Sequence, residues 1–470
     1  MKIDVLGGRN EIGGNKVLIE HKGTRILMDF GMSFNTTGMY FSEFLQPRKC
    51  DGLKDFFEMG LLPDIKGIYR EDYVEHMGRP KEDRSVDALF LSHAHADHAQ
   101  YIHFLRWDIP IYCTHATKLI LQALEETGSG GFKDLVTVCE TYKHYINKKG
   151  EWSRIDRKHG EYVHDRTFHI MDSCSGTNVG KVKIGSLEIE CCLVDHSLPG
   201  ACGFIIYSDE GNLAYSGDIR FHGYHGEYSH AFVEKVKAAN PEWLLMEGTR
   251  IKDMHSIGEL KVREEISKLV SNNQGLVFVE HPIRDLDRVK SIYDSARDNQ
   301  RQFAVNLKLA YLIELLGDIS PFAIDEVKIL VPNKGWGLLC KDGCTDHQIS
   351  KDYFKWEQDF IHRENAITVR DLVENPQHYV VSMNMWEIKH LIDIQPKGAI
   401  WIKSSCEPFT DDMELDEERK SNWLNRFGIP EYHAHASGHA SGKEIHQIIR
   451  DVRPNHVIPI HTEHPELYQK

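Results

Sequence analysis

The sequence predicts an α/β protein built in two parts, and two observations support that prediction. Up to about residue 250, short apolar runs alternate with polar residues around glycine-rich turns, which is typical of antiparallel strands. Beyond that point, helical stretches alternate with short apolar strands, which is the pattern of a parallel α/β domain. The chain has 470 residues, enough for two domains of ordinary size.

The first part opens with strands predicted at 2–6, 16–20 and 24–30, and the glycine-rich residues 7–14 separate the first two. These glycines can form either a phosphate cradle or a tight turn. The tight turn is favoured, because the lysine and hydroxyl residue of a phosphate-binding loop are missing and no helix follows. Residues 31–85 mix glycine, proline and aromatic side chains and predict loops and short helices.

A short apolar strand is predicted at 86–91, and strands return at 187–194, 203–208 and 212–216. Residues 141–184 between them are polar and glycine-dotted, so we interpret that segment as an insertion. The first part therefore consists of strand-rich structure that is interrupted once.

The second part alternates helices and strands. Helices are predicted at 257–272, 284–299, 303–317, 411–426 and 443–452. Strands are predicted at 276–279, 327–331, 379–383, 398–403, 431–435 and 457–460. Within this part Arg284 and Arg288 fall one helical turn apart, which suits either phosphate contacts or an exposed helix face.

Composition excludes several classes of protein. There are 71 acidic and 56 basic side chains, a formal net charge of −15, so overall positive charge cannot hold nucleic acid, although a local basic groove remains open. No run reaches the roughly 18 apolar residues of a membrane span, and the first residues lack the apolar segment of a signal peptide. The ten cysteines are scattered without a Cys-x-x-Cys pair, which predicts reduced thiols in a cytoplasmic protein.

The densest chemical signal directly follows the strand predicted at 86–91. Four ligand-type side chains lie within six residues: His93, His95, Asp97 and His98. The small residues Ser92, Ala94 and Ala96 permit the sharp turn that would let these side chains converge. Imidazole and carboxylate suit zinc, with manganese or iron as replacements. The alternative is a polar loop in which Asp97 caps a helix, but three crowded imidazoles are costly without a metal.

The string His-x-His-x-Asp-His resembles the signature of the metallo-β-lactamase fold, an αββα sandwich. The other signature positions follow in order: Asp29 in LMDFG, His196 in VDHSLPGA and Asp218 in YSGDIR. The resemblance implies two zinc ions, Zn²⁺ being replaceable by Mn²⁺. It assigns the first ion to His93, His95, His196 and Asp218, and the second to Asp97, His98 and Asp218. Asp29 would orient a ligand or the attacking water.

Further motifs resemble the RNase J-type enzymes of the β-CASP nuclease group. A late histidine, His461 in VIPIHTEH, follows a long insertion, and the string HAHASGHA at 433–440 resembles the HxHxSGHA signature of that group. Glu247 in MEGT resembles its acidic motif, and the opening GGRNEIGGN resembles its GGxxEIGxN start. Ser404 and Ser405 in IKSSCEP resemble a serine pair placed near bound phosphates.

This resemblance implies a metallo-β-lactamase αββα sandwich with an inserted parallel α/β β-CASP domain. The core would come from residues 1–250 and 429–470, and the β-CASP domain from residues 251–428. Catalytic roles fall on Asp97, His439, Glu247 and Asp29, and His461 joins the metal ligands. Substrate contacts are predicted for Ser404, Ser405, His435 and Ser437. His433 and His435, two apart on a predicted strand, suit structural hydrogen bonds equally well.

The function implied is hydrolysis of phosphodiester bonds in single-stranded RNA by a water activated by two zinc ions, from a chain end or internally. Three alternatives remain open. The substrate can be DNA, because nothing in the sequence identifies a reader of the 2′-hydroxyl. A small-molecule hydrolase such as a lactonase or thioesterase is disfavoured by the long insertion. A non-catalytic subunit of a processing complex is disfavoured because every expected ligand is present. The oligomeric state stays open, with a homodimer among the options.

Overall fold

The structure is a computed structural model, and it describes residues 1–42, 44–128, 136, 138–155, 162–171, 180–408 and 411–468. The first 128 residues contain five strands and five helices: β1 Lys2–Gly7, β2 Lys16–His21, β3 Thr24–Phe30, α1 Phe34–Tyr40, α2 Lys54–Glu58, α3 Glu71–His76, β4 Ala88–Phe90, α4 Ala96–Ala99, β5 Ile111–Cys113 and α5 His115–Thr127. Residues 31–85 therefore contain short helices and loops, as predicted.

The middle of the chain is mainly strands: β6 Val138–Glu140, β7 Lys143–Ile146, β8 Trp152–Ile155, β9 Val163–Asp165, β10 Phe168–Ile170, β11 Lys181–Ile184, β12 Leu187–Leu193, β13 Cys202–Tyr207, β14 Leu213–Tyr215, α6 Gly226–Ala239 and β15 Trp243–Met246. The remainder alternates helix and strand: α7 Glu259–Asn272, β16 Val277–Glu280, α8 Leu286–Asp298, β17 Gln302–Val305, α9 Leu307–Leu316, β18 Lys328–Leu330, α10 Asp346–Ser350, β19 Ala366–Ile367, α11 Val369–Glu374, β20 Tyr379–Ser382, α12 Leu391–Ile394, β21 Ile400–Lys403, α13 Asp411–Phe427, β22 Glu431–His433, α14 Gly442–Val452 and β23 His456–Pro459.

Two six-stranded sheets face each other. The first has the strand order β1-β2-β3-β4-β5-β10 and the second β11-β12-β13-β14-β15-β23. Because side chains alternate along a strand, Val17 and Ile19 of β2 point between the sheets and pack with Ile189 and Phe204 of the second sheet. Leu18, between them in sequence, points to the other face of the first sheet. The alternation thus produces a two-sheet core with a helix-covered outer surface.

Helices cover both outer faces of this sandwich. Side chains of α6 and α14 pack on the second sheet, where Phe232 and Ile445 share a core with Ile205. On the other side, Ile120 of α5 packs with Leu89 of the first sheet. The layers are therefore helix, sheet, sheet and helix, which is the predicted αββα sandwich.

A third sheet, with the strand order β19-β18-β17-β20-β16-β21-β22, contains only parallel pairs. Its strands are buried on both faces: in β21, Ile400 and Ile402 face one core and Trp401 faces the other. Burial on both faces is expected of a parallel sheet covered by helices. This is the inserted parallel α/β part that the sequence predicts.

The return of the chain to the sandwich lies later than expected. The sequence places residues 429–470 in the return segment, yet β22 pairs with β21 in the third sheet. The elements α14 and β23 join the sandwich, where β23 lies parallel to β15. We therefore propose that the inserted domain extends to His433.

Two further expectations need correction. The helix expected at 303–317 begins only at Leu307, since residues 302–305 form β17 and Asn306 caps the helix. A four-residue apolar run cannot be distinguished from helix by periodicity. The insertion expected at 141–184 is narrower, because β10 pairs with β5 and β11 with β12, so residues 168–170 and 181–184 belong to the sandwich. Residues 156–161 and 172–179 of that segment lie outside the described residues.

Nine cysteines fall in the described part of the chain, and all are free thiols; Cys174 lies outside it. Among the helices that the structure describes, none is long and apolar enough to cross a bilayer.

Candidate metal centre

The segment His93–His98 begins after β4 and runs into α4, and neighbouring loops hold it by close backbone contact. The Asn15 amide donates to the Asp97 carbonyl at 2.9 Å, and the Met32 amide donates to the Ala96 carbonyl at 3.0 Å. A Cβ on Gly31 would lie 1.6 Å from the Asp97 carbonyl oxygen, and one on Gly13 2.8 Å from the Asp97 Cβ. The glycine-rich loop therefore forms a tight turn against this motif.

The other predicted residues reach the same place from the ends of strands in both sheets. Asp29 lies near the end of β3, His196 follows β12 and Asp218 follows β14. Glu247 follows β15 and His461 follows β23. The sandwich thus gathers side chains from across the whole sequence at one edge.

A first group consists of His93, His95, His196 and Asp218, whose ligand atoms all lie within 4.8 Å of one another. His95 Nδ1 is 2.9 Å from His93 Nε2 and 3.1 Å from His196 Nε2. Asp218 Oδ2 is 3.5 Å from His93 Nε2 and 3.8 Å from His196 Nε2. Three imidazoles and one carboxylate around a common point form a donor set that suits zinc.

A second group lies beside the first and consists of Asp97, His98 and His461. Asp97 Oδ2 is 3.0 Å from His461 Nε2 and 4.0 Å from His98 Nε2. Asp218 Oδ2 is 3.2 Å from His98 Nε2 and 3.8 Å from His461 Nε2. One carboxylate oxygen of Asp218 therefore faces both groups.

These side chains have the features expected of cation ligands. Asp218 is only 2% exposed, and its Oδ1 has no hydrogen-bond partner among the described residues. Burial lowers the pKa of His93 and His196 well below the usual value and that of His95 to about 3, with neighbouring positive charges adding to the effect. Neutral imidazoles with free lone pairs are the form that binds metal, so the residues present fit the implied ions.

Asp29 occupies the position of a residue that orients a ligand. Its carboxylate accepts hydrogen bonds from the Ser92 amide at 2.7 Å, the Ser92 hydroxyl at 2.8 Å and the Tyr215 hydroxyl at 2.6 Å. It also lies 2.7 Å from His98 Nδ1, so the other ring nitrogen, Nε2, faces Asp218. Outer partners of this kind fix the tautomer of a ligating histidine.

Two other contacts do the same for further histidines. His196 Nδ1 lies 2.5 Å from the Gly438 carbonyl, within the HASGHA string. Thr249 Oγ1 lies 2.7 Å from His461 Nδ1. Sequence reasoning missed Thr249, although it stands two residues after Glu247 in the MEGT motif.

His439 stands at the mouth of the cluster. Its side chain is 18% exposed, and its Nδ1 is 3.4 Å from Glu247 Oε1 and 3.9 Å from Asp218 Oδ2. Burial opposes the charged imidazolium, but Glu247 and Asp218 outweigh it and raise the pKa of His439. Glu247 itself is completely buried, so it faces His439 rather than solvent.

The residues predicted to contact substrate differ in burial and in hydrogen-bond partners. Ser404 is completely buried, and its hydroxyl donates to the Ala434 carbonyl and accepts from Arg288, so the structure offers it no open surface to a substrate. Ser405 is half-buried. His435 lies 3.1 Å from Arg288 Nη1, and Ser437 Oγ accepts the His439 amide at 3.2 Å.

Arg288 is also buried, which contradicts both expectations for it. Its guanidinium pairs with Glu259 at 2.8 Å and donates to the carbonyls of Ser404 and Ala436. Arg284 donates to the Ala94 carbonyl at 3.0 Å and so contacts the metal-binding turn directly. These two arginines connect the inserted sheet to the candidate centre.

Comparison with known proteins identifies the group. A family model described as "Beta-lactamase superfamily domain" matches residues 63–271, and one described as "Zn-dependent metallo-hydrolase RNA specificity domain" matches residues 431–469. A curated relative, Ribonuclease J of Mycoplasma genitalium, is 24% identical over 98% of this chain and 68% of its own length. Ribonuclease J of Pyrococcus abyssi is 22% identical over 98% of this chain and 90% of its own. The chain is therefore similar to ribonuclease J over almost all of its length.

A solved structure supports the fold. A protein of unknown function from Enterococcus faecalis superposes with a TM-score of 0.72 at 22% identity, covering 99% of this chain and 95% of that one. In this RNase J-like chain, the second matched segment contains both the HASGHA string and His461. Family similarity and the clustered side chains therefore point to the same edge of the sandwich.

Proposed function

We propose that this protein is a metal-dependent ribonuclease that hydrolyses phosphodiester bonds of single-stranded RNA at the candidate metal centre. The observation that carries the proposal is the position of Asp218. Its Oδ2 lies within 3.8 Å of four imidazoles that belong to the two adjacent groups, and 3.9 Å from His439 Nδ1. One shared carboxylate oxygen between two donor sets is the arrangement expected of a two-metal site.

The first ion would be held by His93, His95, His196 and Asp218. The second would be held by Asp97, His98, His461 and Asp218. Zn²⁺ fits these nitrogen and oxygen donors, and Mn²⁺ can replace it. When bound, two such ions lower the pKa of a water and stabilise the attacking and leaving oxygens of a phosphodiester.

The protein's own side chains supply the rest of the chemistry. His439, whose side chain is 18% exposed at the mouth of the cluster, is positioned to donate a proton to the leaving oxygen. Glu247 Oε1 faces His439 Nδ1 and favours the protonated ring that this donation needs. Asp29 holds His98 in the tautomer that presents Nε2 to the centre.

RNA is the proposed substrate because the relatives are named Ribonuclease J and because an RNA specificity domain model matches residues 431–469. That segment supplies His439 and His461 to the centre, and Gly438 fixes His196 from it. The proposed specificity segment and the proposed chemistry thus share residues.

The test is cleavage of end-labelled RNA and DNA of one sequence, each with a 5′-phosphate, with a 5′-hydroxyl and in circular form. We expect cleavage of single-stranded RNA by the wild type, and a loss of at least 100-fold in Asp97→Ala and His439→Gln, since each removes a group that acts on the reacting atoms. The matched control is His433→Gln, because that ring is 55% exposed on the same segment and pairs with Glu407.

Full cleavage by His439→Gln would remove this residue from the mechanism. Cleavage of the DNA alone would contradict the assignment of RNA. The circular forms separate internal cutting from cutting at an end.

A further inference from the structure

A second cavity lies along the carboxyl edge of the third sheet. Its volume is about 620 Å³, and loops that follow four parallel strands line it. Ile283 follows β16, Asn306 follows β17, Pro332 follows β18 and Asn384 follows β20. No residue of the candidate metal centre lines this space.

The topology makes this edge a binding position. Strands β17 and β20 are neighbours, but the chain leaves β17 towards β18 on one side and leaves β20 towards β21 on the other. In open parallel sheets, ligands bind in the crevice outside the carboxyl ends where neighbouring connections diverge in this way. Lining residues of the cavity include Lys308 from the first of these loops and Trp386 from the second.

The walls combine exposed aromatic rings with cationic side chains. Trp386 is 77% exposed and Phe354 is 64% exposed, and both line the cavity. Lys308, Lys334 and Lys389 line the same cavity, and Lys334 Nζ lies 5.8 Å from the centroid of the Phe354 ring.

The acidic residues of the lining are already engaged. Glu387 accepts the Asn384 amide and the Asn306 side chain, and Asp352 accepts the amides of Trp336 and Leu338. Glu357 pairs with Lys334 and accepts the Phe354 amide. Lys308 and Lys389 are exposed and form no ion pair with any residue in the described part of the chain. These two lysines are therefore available to an anion.

The polar side chains of the floor are committed to the fold. Asn306 Oδ1 caps α9 through the Leu309 amide, and Asn384 Oδ1 accepts the Trp386 amide. With these groups used internally, the cavity offers a ring for stacking and cations for phosphate. That combination binds nucleotides without reading their base edges.

The chain links the cavity to the candidate metal centre through two consecutive residues. Ile283 lines it, and the next residue, Arg284, donates to the Ala94 carbonyl between His93 and His95. Consecutive Cα atoms are about 3.8 Å apart, so the cavity wall begins one residue from a side chain that contacts the metal-binding turn. A nucleic-acid strand at the centre can extend along this edge.

We propose that this cavity is a nucleotide-binding subsite in which a base stacks on Trp386 and a phosphate contacts Lys308 and Lys389, and the proposal rests on the function proposed above. Its occupant is a nucleotide of the substrate strand away from the cleaved bond. A free mononucleotide has the same chemistry and is distinguished by the experiment. Because the site uses stacking and charge, all four bases are accepted.

The test uses the metal-loaded protein and fluorescence anisotropy with an eight-nucleotide phosphorothioate RNA, a dinucleotide and AMP. Trp386→Ala is expected to weaken binding of the eight-nucleotide RNA by roughly 5- to 150-fold, the range for loss of one stacked base, and to leave the dinucleotide unchanged. The matched control is Trp152→Ala, because Trp152 is 75% exposed on the β7–β8 hairpin. Trp386→Phe should restore most of the affinity.

A second variant does not depend on the tryptophan. The double variant Lys308→Ala, Lys389→Ala is expected to reduce the slope of log K for RNA binding against log salt concentration by roughly 0.7 for each phosphate that is no longer neutralised. Lys268→Ala, on the exposed surface of α7, should leave this slope unchanged. If AMP binds and Trp386→Ala abolishes its binding, the occupant includes a free mononucleotide. If both sets of variants bind RNA and AMP as the wild type does, the proposed subsite is overturned. A cavity that binds a protein instead of a nucleotide would give this same result.

The two proposals fail separately. If the wild type binds the eight-nucleotide RNA in a way that depends on Trp386 and yet cleaves no RNA, the ribonuclease proposal is overturned and the subsite is kept. If RNA is cleaved but its binding does not change when Trp386 or the two lysines are substituted, the ribonuclease proposal is kept and the subsite is overturned.

Discussion

Asp218 carries more of the candidate centre than any other single side chain. Its Oδ2 faces both donor groups, and its Oδ1 has no partner among the described residues. Asp218→Asn keeps the shape but replaces a carboxylate oxygen by an amide, which weakens the ligand to both ions at once. We expect bound metal to fall from about two equivalents per chain, the number proposed above, to one or fewer.

The measurement is elemental analysis of dialysed protein. Asp253→Asn is the matched control, because that carboxylate is exposed and pairs only with Arg250 among the described residues. Two equivalents retained by Asp218→Asn would contradict a shared ligand.

At the residue scale, the sequence predicts the side chains that meet but not all of those that hold them. Spacing alone brings together His93, His95, Asp97 and His98, and the resemblance to the metallo-β-lactamase fold and the β-CASP group supplies the other members of the cluster. Thr249 holds His461, which lies 212 positions later in the sequence. Gly438 holds His196, which lies 242 positions earlier. For Ser404 the motif gives no sign that the hydroxyl is buried against Arg288, so its predicted role in substrate binding stays a prediction.

The loop between β1 and β2 is the element that presses on the metal-binding turn. Gly13 has φ +84°, and a Cβ there would lie 2.8 Å from the Asp97 Cβ and 2.9 Å from Oδ2. Gly13→Ala should displace Asp97 and so lower metal affinity and RNA cleavage by roughly 10-fold or more, the effect typical of disturbed outer contacts.

Gly23→Ala provides the matched control. Gly23 lies in the β2–β3 turn with φ +83°, and a Cβ there would meet nothing within 4 Å. Both substitutions strain a left-handed residue, so the difference between them isolates the collision with Asp97. Equal metal affinity in the two variants, measured by chelator competition, would rule out the proposed contact.

The carboxyl end of β16 contains a histidine that couples the third sheet to pH. His281 is 5% exposed, its Nε2 lies 2.9 Å from Ser382 Oγ, and burial together with the charge of Arg288 lowers its pKa to about 4. The folded protein disfavours the protonated form of this ring, whereas the unfolded chain does not. The contribution of this ring to the free energy of unfolding is therefore highest above pH 6.5 and falls as the pH drops towards 4.

We therefore expect wild-type protein to lose more stability than His281→Gln between pH 7 and pH 4.5, by about 2 to 3 kcal/mol. Urea unfolding at both pH values measures this difference. His255→Gln, at an exposed position, is the control. An equal loss in wild type and His281→Gln would show that this ring does not couple pH to the fold.

At the element scale, strongly periodic segments are predictable, whereas some short strands are not. Helices α7 and α8 lie within two residues of their expected bounds. Strand β17 falls inside a predicted helix, because its four residues carry no distinguishing period and only the cap at Asn306 separates it from α9. Strand β10 cannot be recognised from sequence, because only its pairing with β5 makes it part of the sandwich.

Across the whole molecule, the sandwich and the inserted sheet meet through a buried charge network centred on Arg220. Its Nε lies 3.2 Å from Asp195 Oδ1 in the sandwich, and its other nitrogens contact Asp287 of α8 and, at 3.6 Å, Glu259 of α7. It also donates to the Ser437 carbonyl at 3.3 Å, in the segment that supplies His439. One guanidinium thus links both parts to the candidate centre.

Removing this guanidinium should destabilise the protein strongly. Arg220→Met leaves the carboxylates of Asp195 and Glu259, both 0% exposed, without their shared cation. Loss of one member of a buried ion pair costs about 3 to 5 kcal/mol. The control is Arg419→Met, because that side chain is 61% exposed and pairs with Asp416 at the surface, where a pair contributes about 0 to 1 kcal/mol.

Urea unfolding gives the two free-energy changes, and neutralising a carboxylate tests their cause. If the cost comes from unpaired charge, Arg220→Met with Asp195→Asn should recover part of the stability lost by Arg220→Met alone, because a neutral amide is less costly to bury than a carboxylate. If it comes only from lost packing, the second substitution should add a further loss. Since the same guanidinium contacts Ser437, recovered stability with cleavage still reduced would show that Arg220 also sets the position of the His439 segment.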